Sequence, residues 1–582
     1  MFCPCRMCLG FRSFLCFDVL GLTHPLICYG QSNCEIIAQR LKSGDLLNIE
    51  SLLNTTMDCP NLLGQVYLRK GNNQEAENYF NEALSRAKSN KSLRAEALNN
   101  LGLVYWNTGN TNKGREFIKE ALELRINEFG ENHELTAASF NDLGLILSGK
   151  NPDLALTHYE SALGIYQTIY GNEHEKTIQA SINTGVVYRA LEYFGEATIT
   201  IDEALVNWKK LYPEGHPNEG FILTNIGQNL QATNSLEGAL KSYEAALEIY
   251  QKFYGNKHPE IASTLNLIGN IYNIQGEFEK AIDHYQRAII ANIPDVTSLD
   301  IQENPSVATY LNSNTLLSSL YYKSKAYMDL HFNKTLKFSD LKLSLSTLQS
   351  CDSLIDNIRK VRTNESDKLA LGQLASTVYE TGVELCKAMG DVAVKKDDYY
   401  KLSFYFAEKS KSAVLLEAIA DANAKSFAGL NSEDLALENA FKNDIAYLEN
   451  QIVLESNVEF RKNLQSELLV KRTAYEDFVR SIEKKYPEYY KLKYSTGLPS
   501  VEKIQQSLNE NQEVLAYFIS DVSKRVYLYE INTKKFKLSS KPLGETFDQY
   551  VSGFKNSIFF KVKDTYEFTA VELHNLLIPK KI

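Results

Sequence analysis

No stretch of this 582-residue chain interleaves clustered basic residues with aromatics, and the formal net charge is −10. A nucleic-acid partner is therefore disfavoured, because holding a phosphate backbone rests on grouped lysine and arginine. Past its first thirty residues the chain also lacks any apolar run approaching the about 20 residues a membrane helix needs. No integral membrane segment is expected in the mature protein. Cysteine nearly vanishes after Cys59: Cys3, Cys5, Cys8, Cys16, Cys28, Cys34 and Cys59 cluster early, and only Cys351 and Cys386 follow. The Cys3, Cys5 and Cys8 group has no fourth ligand at a zinc spacing, so no metal or other cofactor is expected. What remains is 44% hydrophobic and 23% charged, the balance of a soluble folded protein too long for a single core.

The start of the chain has the outline of an export signal. Arg6 and Arg12 precede the apolar stretch from Phe14 to Tyr29, which ends at the small Gly30. Asp18 and the His24–Pro25 pair interrupt it, so a disordered or mis-assigned start stands as the alternative. Location stays open between the cytoplasm and export from a bacterial cell.

The dominant feature is a period. Glycines at Gly64, Gly102, Gly144, Gly185, Gly227 and Gly269 are separated by 38, 42, 41, 42 and 42 residues. Ala83, Ala121, Ala162, Ala204, Ala246 and Ala288 run in step with them. Such a period marks a solenoid of stacked units, none of which can bury its apolar face alone. Leu265 to Ile289 shows the unit in full. Leu265, Ile268, Gly269 and Tyr272 form one helical stripe, Gly276 breaks the helix, and Ala281, Tyr285, Ala288 and Ile289 form the second stripe. Gly269, Ala281 and Ala288 are small because two helices must approach closely there. Gly64 with Ala76 and Ala83, and Gly227 with Ala239 and Ala246, take the same parts; Gly114 replaces the middle alanine in its unit.

These residues resemble the tetratricopeptide repeat, in the longer form found in kinesin light chains. The resemblance spans about residues 60 to 295 and implies a right-handed α-solenoid with a concave groove. The surplus residues lie in a recurring linker: FGENHE at Phe129, YGNEHE at Tyr170, YPEGHP at Tyr212 and YGNKHP at Tyr254. Its histidines, His133, His174, His216 and His258, recur at a distance no single metal could bridge, since stacked helices lie about 8–10 Å apart. They are expected to finish a turn before the next helix, where Pro217 and Pro259 pre-set the first turn. Tyr67, Tyr105, Tyr188 and Tyr272 are expected in the core.

An asparagine precedes each marker glycine: Asn61, Asn99 with Asn100, Asn141, Asn183, Asn225 and Asn266. A carboxamide offers a donor and an acceptor to an extended chain. The family resemblance implies that such asparagines clamp a bound peptide, which makes Asn99, Asn100, Asn141, Asn183, Asn225 and Asn266 the candidate partner-binding groove. The alternative is that they bond between helices within the stack.

Beyond Ile293 the period decays into degenerate helix pairs over 296–425, including Thr315 to Leu330 and Leu345 to Val361. Ala407, Val414, Leu415 and Ile419 mark a buried face, with Glu408 and Lys411 as a solvated pair. A charged stretch over 426–490 reads as a long antiparallel helical hairpin or a solvent-exposed helical bridge. Past Pro487, VLAYFIS (Val514 to Ser520), RVYLYEI (Arg525 to Ile531) and FKLSS read as an antiparallel meander, with helices expected over 544–559 and 568–577.

AEKSKSAVLL at Ala407, FAGLNSEDLALENA at Phe427, KKYPEYYKLKY at Lys484 and VLAYFIS at Val514 together resemble repeat proteins that end in a caspase-like CHAT domain. The resemblance implies a catalytic His–Cys dyad beyond the opening strands. After Cys386 there is no cysteine, and the late His574 lies in a helix before the family's catalytic segment. The chain is therefore expected to be non-enzymatic, with an incomplete CHAT domain at 495–582 that leaves a strand edge unpaired and an apolar face uncovered. The expected organisation is a signal-like 1–30, a helical lead-in at 31–59, repeats at 60–295, the degenerate pairs, the hairpin and the α+β fragment. The expected function is a scaffold that binds a protein or peptide in the groove; the alternative is the sensing half of a CHAT peptidase.

Overall fold

In the computed structural model, the described residues are 34, 37–38 and 59–578, apart from 70–72, 108–109, 298–299, 362–364, 428–430, 456, 488–497 and 499. The signal-like segment, the early cysteine cluster and most of the lead-in lie outside them. Helices dominate, as expected of a solenoid, with one small antiparallel sheet near the C-terminus. The chain forms two compact units: Met1–Leu374 with Ala424–Leu492, and Ala375–Asn423 with Lys493–Ile582.

The first unit holds six helix pairs in succession: α1 (Pro60–Arg69) with α2 (Asn73–Ala87), α3 (Lys91–Asn107) with α4 (Thr111–Phe129), α5 (Glu134–Leu147) with α6 (Pro152–Tyr170), α7 (Glu175–Ala190) with α8 (Phe194–Leu211), α9 (Pro217–Ala232) with α10 (Leu236–Tyr254), and α11 (Pro259–Ile274) with α12 (Phe278–Ala291). Each first helix meets its second at the marker glycine, where one bulky side chain of the second helix fills the space. A Cβ added to Gly64 would stand 2.5 Å from the Phe80 ring, and one on Gly227 or Gly269 would stand 2.5 or 2.6 Å from Tyr243 or Tyr285. In the third pair a Cβ on Gly144 would stand 2.8 Å from the Tyr159 ring. The period in glycine is thus a period in aromatic and isoleucine side chains across the helix pair. Ala281 and Ala288, like Ala239 and Ala246, are wholly buried.

The linker explains the lengthened period. Helix α6 ends at Tyr170, Gly171 follows at φ +75°, a conformation that favours glycine, and His174 then starts α7. Its extended backbone leaves Nδ1 free to accept the Lys176 N–H at 3.2 Å, the part usually played by serine or aspartate. The imidazole also stacks on Tyr170 at 4.1 Å between centroids. His133, His216 and His258 cap α5, α9 and α11 in the same way, over Phe129, Tyr212 and Tyr254. Pro217 and Pro259 stand in the first helical turn, as the sequence indicates. The four histidines are helix caps.

The tyrosines at the end of the first helices are only half-buried, which corrects their assignment to the core. Their rings do pack across the pair, Tyr67 on Tyr79 and Tyr105 on Phe117, each at 5.3 Å. Their hydroxyls emerge at the edge: Tyr105 donates to Glu77 and Tyr188 to Glu160. A phenol buries its ring and keeps its oxygen wet.

A seventh pair, α13 (Ser313–Leu330) and α14 (Phe338–Val361), continues the stack, with Ala326, Tyr327 and Leu330 sharing a core with Phe278, Ile282 and Tyr285. Helices α15 (Glu365–Val392) and α16 (Lys396–Phe427) follow. Helices α17 (Ser432–Leu454) and α18 (Val458–Lys485) then form the long hairpin, which is no exposed bridge. Its Ile445, Leu448, Leu464 and Leu468 enter one core with Leu62, Leu63 and Val66 of α1, beside a disulfide joining Cys34 to Cys59.

In the second compact unit, α19 (Val501–Ser507) precedes β1 (Glu513–Ser520), β2 (Arg525–Asn532) and β3 (Phe536–Pro542), and then come α20 (Phe547–Phe560) and α21 (Lys563–Leu577). The strands form an antiparallel meander in the order β1-β2-β3, with Tyr517 opposite Leu528 and Tyr529 opposite Leu538. One face lies on the residues of α15 and α16 within this unit. Tyr529 is wholly buried, and its hydroxyl meets Ser403 Oγ at 2.8 Å, with Phe404 set edge-on to its ring. Ser520 donates to Glu380, and Glu384 lies 2.8 Å away. On the other face Tyr517 donates to the Leu577 carbonyl at 3.0 Å. The expectation of an uncovered sheet face is thus corrected for the Tyr529 face, which helices distant in sequence cover; exposed apolar side chains include Ile519 on the other face and Val551, Ile558, Phe559, Phe560, Phe568 and Val571 on the last two helices. Ala407 is buried and Glu408 pairs with Lys411 at 2.6 Å, while the side chains of Val414, Leu415 and Ile419 lie outside the described residues.

Candidate functional site

The asparagine row stands on the first helix of each pair, but it is two rows. Counting back from the glycine, Asn61, Asn99, Asn141 and Asn266 sit three residues before it, and Asn100, Asn183 and Asn225 two residues before it. Helical geometry turns adjacent positions about 100° apart, so the two sets face different neighbours. The structure pairs one set with the other across successive units. Asn100 Nδ2 donates to Asn61 Oδ1 at 3.1 Å, and Asn183 Nδ2 donates to Asn141 Oδ1 at 3.1 Å. Between them, Asn99 Nδ2 donates at 2.7 Å to Asp142, which holds the second position in its unit.

The Asn99 carboxamide is engaged through both its nitrogen and its oxygen. Its oxygen accepts from Arg125 at 3.2 Å and from Ser139 at 3.0 Å, and Arg125 also donates to Ser139 Oγ at 2.7 Å and to the Leu135 carbonyl at 3.0 Å. Arg125 and Asp142 are both buried. Burial pushes the Asp142 carboxyl up to about 7, against the opposing pull of the Asn99 hydrogen bond and the Arg125 charge. The same burial pulls the Arg125 pKa down.

Past the fourth unit the ladder breaks. Ile182 and Thr224 occupy the first position, where a carboxamide would have continued it. Asn225 turns back along its own helix, donating to the Phe221 carbonyl at 3.0 Å, and its oxygen takes only long contacts from Arg189, at 3.4 and 3.5 Å. Arg189 also reaches Gln228 at 2.8 Å. Asn266 donates to Ser319 Oγ at 2.9 Å, and its own carbonyl oxygen is buried without a partner. The row thus divides into a bonded part, Asn61 to Asn183, and an incompletely bonded part, Asn225 and Asn266. The two registers are visible in the spacing to each glycine, the signal that reading the asparagines as one series missed.

Among the described residues, no group of three or more His, Cys, Asp or Glu side chains could hold a metal ion, and no helix is long and apolar enough to cross a membrane. Cys351 and Cys386 are buried, and burial drives both thiols far above their ordinary pKa, which leaves them un-ionised packing groups.

Residues 93–166 and 219–289 match one tetratricopeptide repeat family, and residues 61–90 match a second. The array is built of tetratricopeptide repeats. Among solved structures, the chain is similar to BtubC (BKLC) from P. vanneervenii, at 20% identity over 38% of this chain and 92% of that one, with a TM-score of 0.32. It is similar to the apo form of RapI, at 12% identity over 65% and 98% of the two chains, with a TM-score of 0.41. A Rap protein complexed with competence and sporulation factor is similar at 13% identity over 66% and 98%, with a TM-score of 0.36. No curated protein matches the sequence.

Proposed function

We propose that this protein is a non-catalytic interaction scaffold whose tetratricopeptide array captures an extended peptide or a partner's exposed segment. One observation carries the reading: the carboxamide row of the first helices is bonded unit to unit from Asn61 to Asn183, and the ladder then stops, leaving the half-buried Arg189 and Gln228 beside Asn225. Arg189, anchored on the buried Asn225, and Gln228 beside it offer polar contacts to an extended peptide. Asn99, Asn100, Asn141 and Asn183 serve the partner indirectly, by fixing the spacing of the first helices. Selection of a random phage-displayed peptide library on the full chain tests this. Enriched peptides should lose binding when Arg189 and Gln228 are both changed to Ala, with helical content retained. Failure to enrich any peptide, or binding that survives the double substitution, ends the proposal.

A second reading keeps the resemblance of the C-terminal region to the opening of a CHAT domain. The meander followed by two helices favours it. In that reading the repeats gate a peptidase whose dyad this chain does not hold, because Cys386 is buried beneath the sheet's helices and does not pair with His574. A reading frame past codon 582 that encodes a His-Gly segment and a later Cys would support it; a frame that stops there would end it.

A further inference from the structure

In the last full repeat, the residues one before and two after the marker glycine, Ile268 and Ile271, share a core with Leu247 and Tyr250 of the preceding second helix. Leu63 and Val66 hold the same places around Gly64. Their neighbours are different. They share their core with Ile445, Leu448 and Ile452 of α17, Leu464 and Leu468 of α18, and Leu311, just ahead of α13. The hairpin thus covers the end of the first repeat and at once touches the segment that follows the last.

Two buried arginines of α18 complete the attachment. Arg461 Nη2 donates to the Tyr254 carbonyl at 2.5 Å, and its guanidinium lies 5.0 Å from the Tyr254 ring centroid. Tyr254 ends α10, and the final carbonyls of a helix lack intrahelical partners and carry the negative end of its dipole. Arg472 Nη1 donates to the Tyr310 carbonyl at 2.7 Å over a ring 3.9 Å away, while its other nitrogen reaches Glu449 of α17 at 2.6 Å. Arg461 makes no ion pair among the described residues; its remaining bond goes to the Glu455 carbonyl at 3.1 Å. A buried guanidinium held by two carbonyls and a ring, with no ion pair, recovers its desolvation cost incompletely. That makes the grip on Tyr254 weaker than that of Arg472, which has Glu449 as its counter-charge.

We infer that the α17–α18 hairpin is a releasable strap: it ties the first repeat to the Tyr254 and Tyr310 edge, and leaving those two carbonyls opens the array. The inference stands on the hairpin's contacts and not on the peptide reading. Release would expose Leu62, Leu63 and Val66 together with the hairpin's own apolar side, so opening should be cooperative between these distant segments.

Native-state hydrogen exchange on the full chain tests it. In the unaltered protein, amides of 432–485 and 60–69 should open together at denaturant concentrations where 134–291 stays protected. In Arg461→Met/Arg472→Met, protection of 432–485 and 60–69 should fall by about tenfold or more with 134–291 unchanged. The exposed neighbour change Lys462→Met should alter neither. Exchange of the hairpin only through global unfolding of the repeats overturns the strap, as does loss of protection throughout 134–291 in the double variant. Should that variant fail to fold, the denaturant series on the unaltered protein decides alone.

Discussion

Gly227 and Gly164 are both helical glycines, and they should answer an added methyl in opposite ways. At Gly227 a Cβ would stand 2.5 Å from the Tyr243 ring, which is wholly buried and cannot move aside. At Gly164, on the outer side of α6, nothing lies within 4 Å. Gly227→Ala should destabilise the array by about 1–3 kcal/mol, the usual cost of overpacking. Gly164→Ala should be neutral or stabilising by up to about 1 kcal/mol, from helix propensity. Thermal or urea unfolding of both variants checks the contrast.

Asp142 makes a second residue-scale prediction, in pH. Its carboxyl is raised to about 7 by burial, against about 3.9 for a free aspartate. Between these values the folded protein binds the proton and the unfolded chain does not, so its contribution to stability is present below about pH 4 and is lost as pH rises through 7. Asp142→Asn removes that dependence, so the variant's stability relative to the unaltered protein should climb from pH 5 to about pH 7 and level off above it. His216 runs the other way. Burial lowers its pKa, so its contribution is present above about 6.5 and lost as pH falls through the lower folded value. Protonation also removes the Nδ1 lone pair that caps α9. His216→Asn should therefore flatten the acid limb and leave the alkaline limb as it was. Melting temperatures across pH 5–8 test both signs.

At the scale of elements, what the sequence disclosed was whatever repeats. Each linker histidine and each small residue at a helix crossing recurs in step, so position alone identifies its work, and the helix caps and pair contacts could be read directly. The meander was equally plain, because alternating apolar residues between short polar turns carry their own period. Contacts between non-repeating elements were not legible. The apolar stripes of α17 and α18 announce a buried face without naming the neighbour, and nothing local directs Leu464 toward Leu62 or Arg461 toward a carbonyl of α10. The Cys34–Cys59 disulfide was hidden for a related reason, since spacing does not determine which of several cysteines pair. The asparagines show a third limit: one residue of register separates a bond to the next unit from a turn back along the same helix, and only the neighbouring Ile182 and Thr224 mark where the pattern changes.

At the scale of the whole molecule, the division into domains does not follow the order of the chain. The helical segment 375–423 continues the run of helix pairs in sequence, and it even repeats their device, for a Cβ on Gly382 would stand 2.6 Å from Phe406. Yet its compact unit is completed by residues 493–582. The reason lies in the sheet: three strands alone are marginal without a helix against one face, and Tyr529, Phe404 and Ser403 meet at the centre of that contact. Tyr529→Ala would empty a fully buried site and leave Ser403 with only the Val383 carbonyl as its partner, a loss of about 3–5 kcal/mol by analogy with other large-to-small aromatic changes. If the two segments fold as one unit, hydrogen exchange of 375–423 and of 513–542 should accelerate together in this variant, while 134–291 keeps its protection. Acceleration confined to the strands would show that the helical segment belongs with the repeats it follows. Acceleration everywhere would show that the chain unfolds as a single cooperative body.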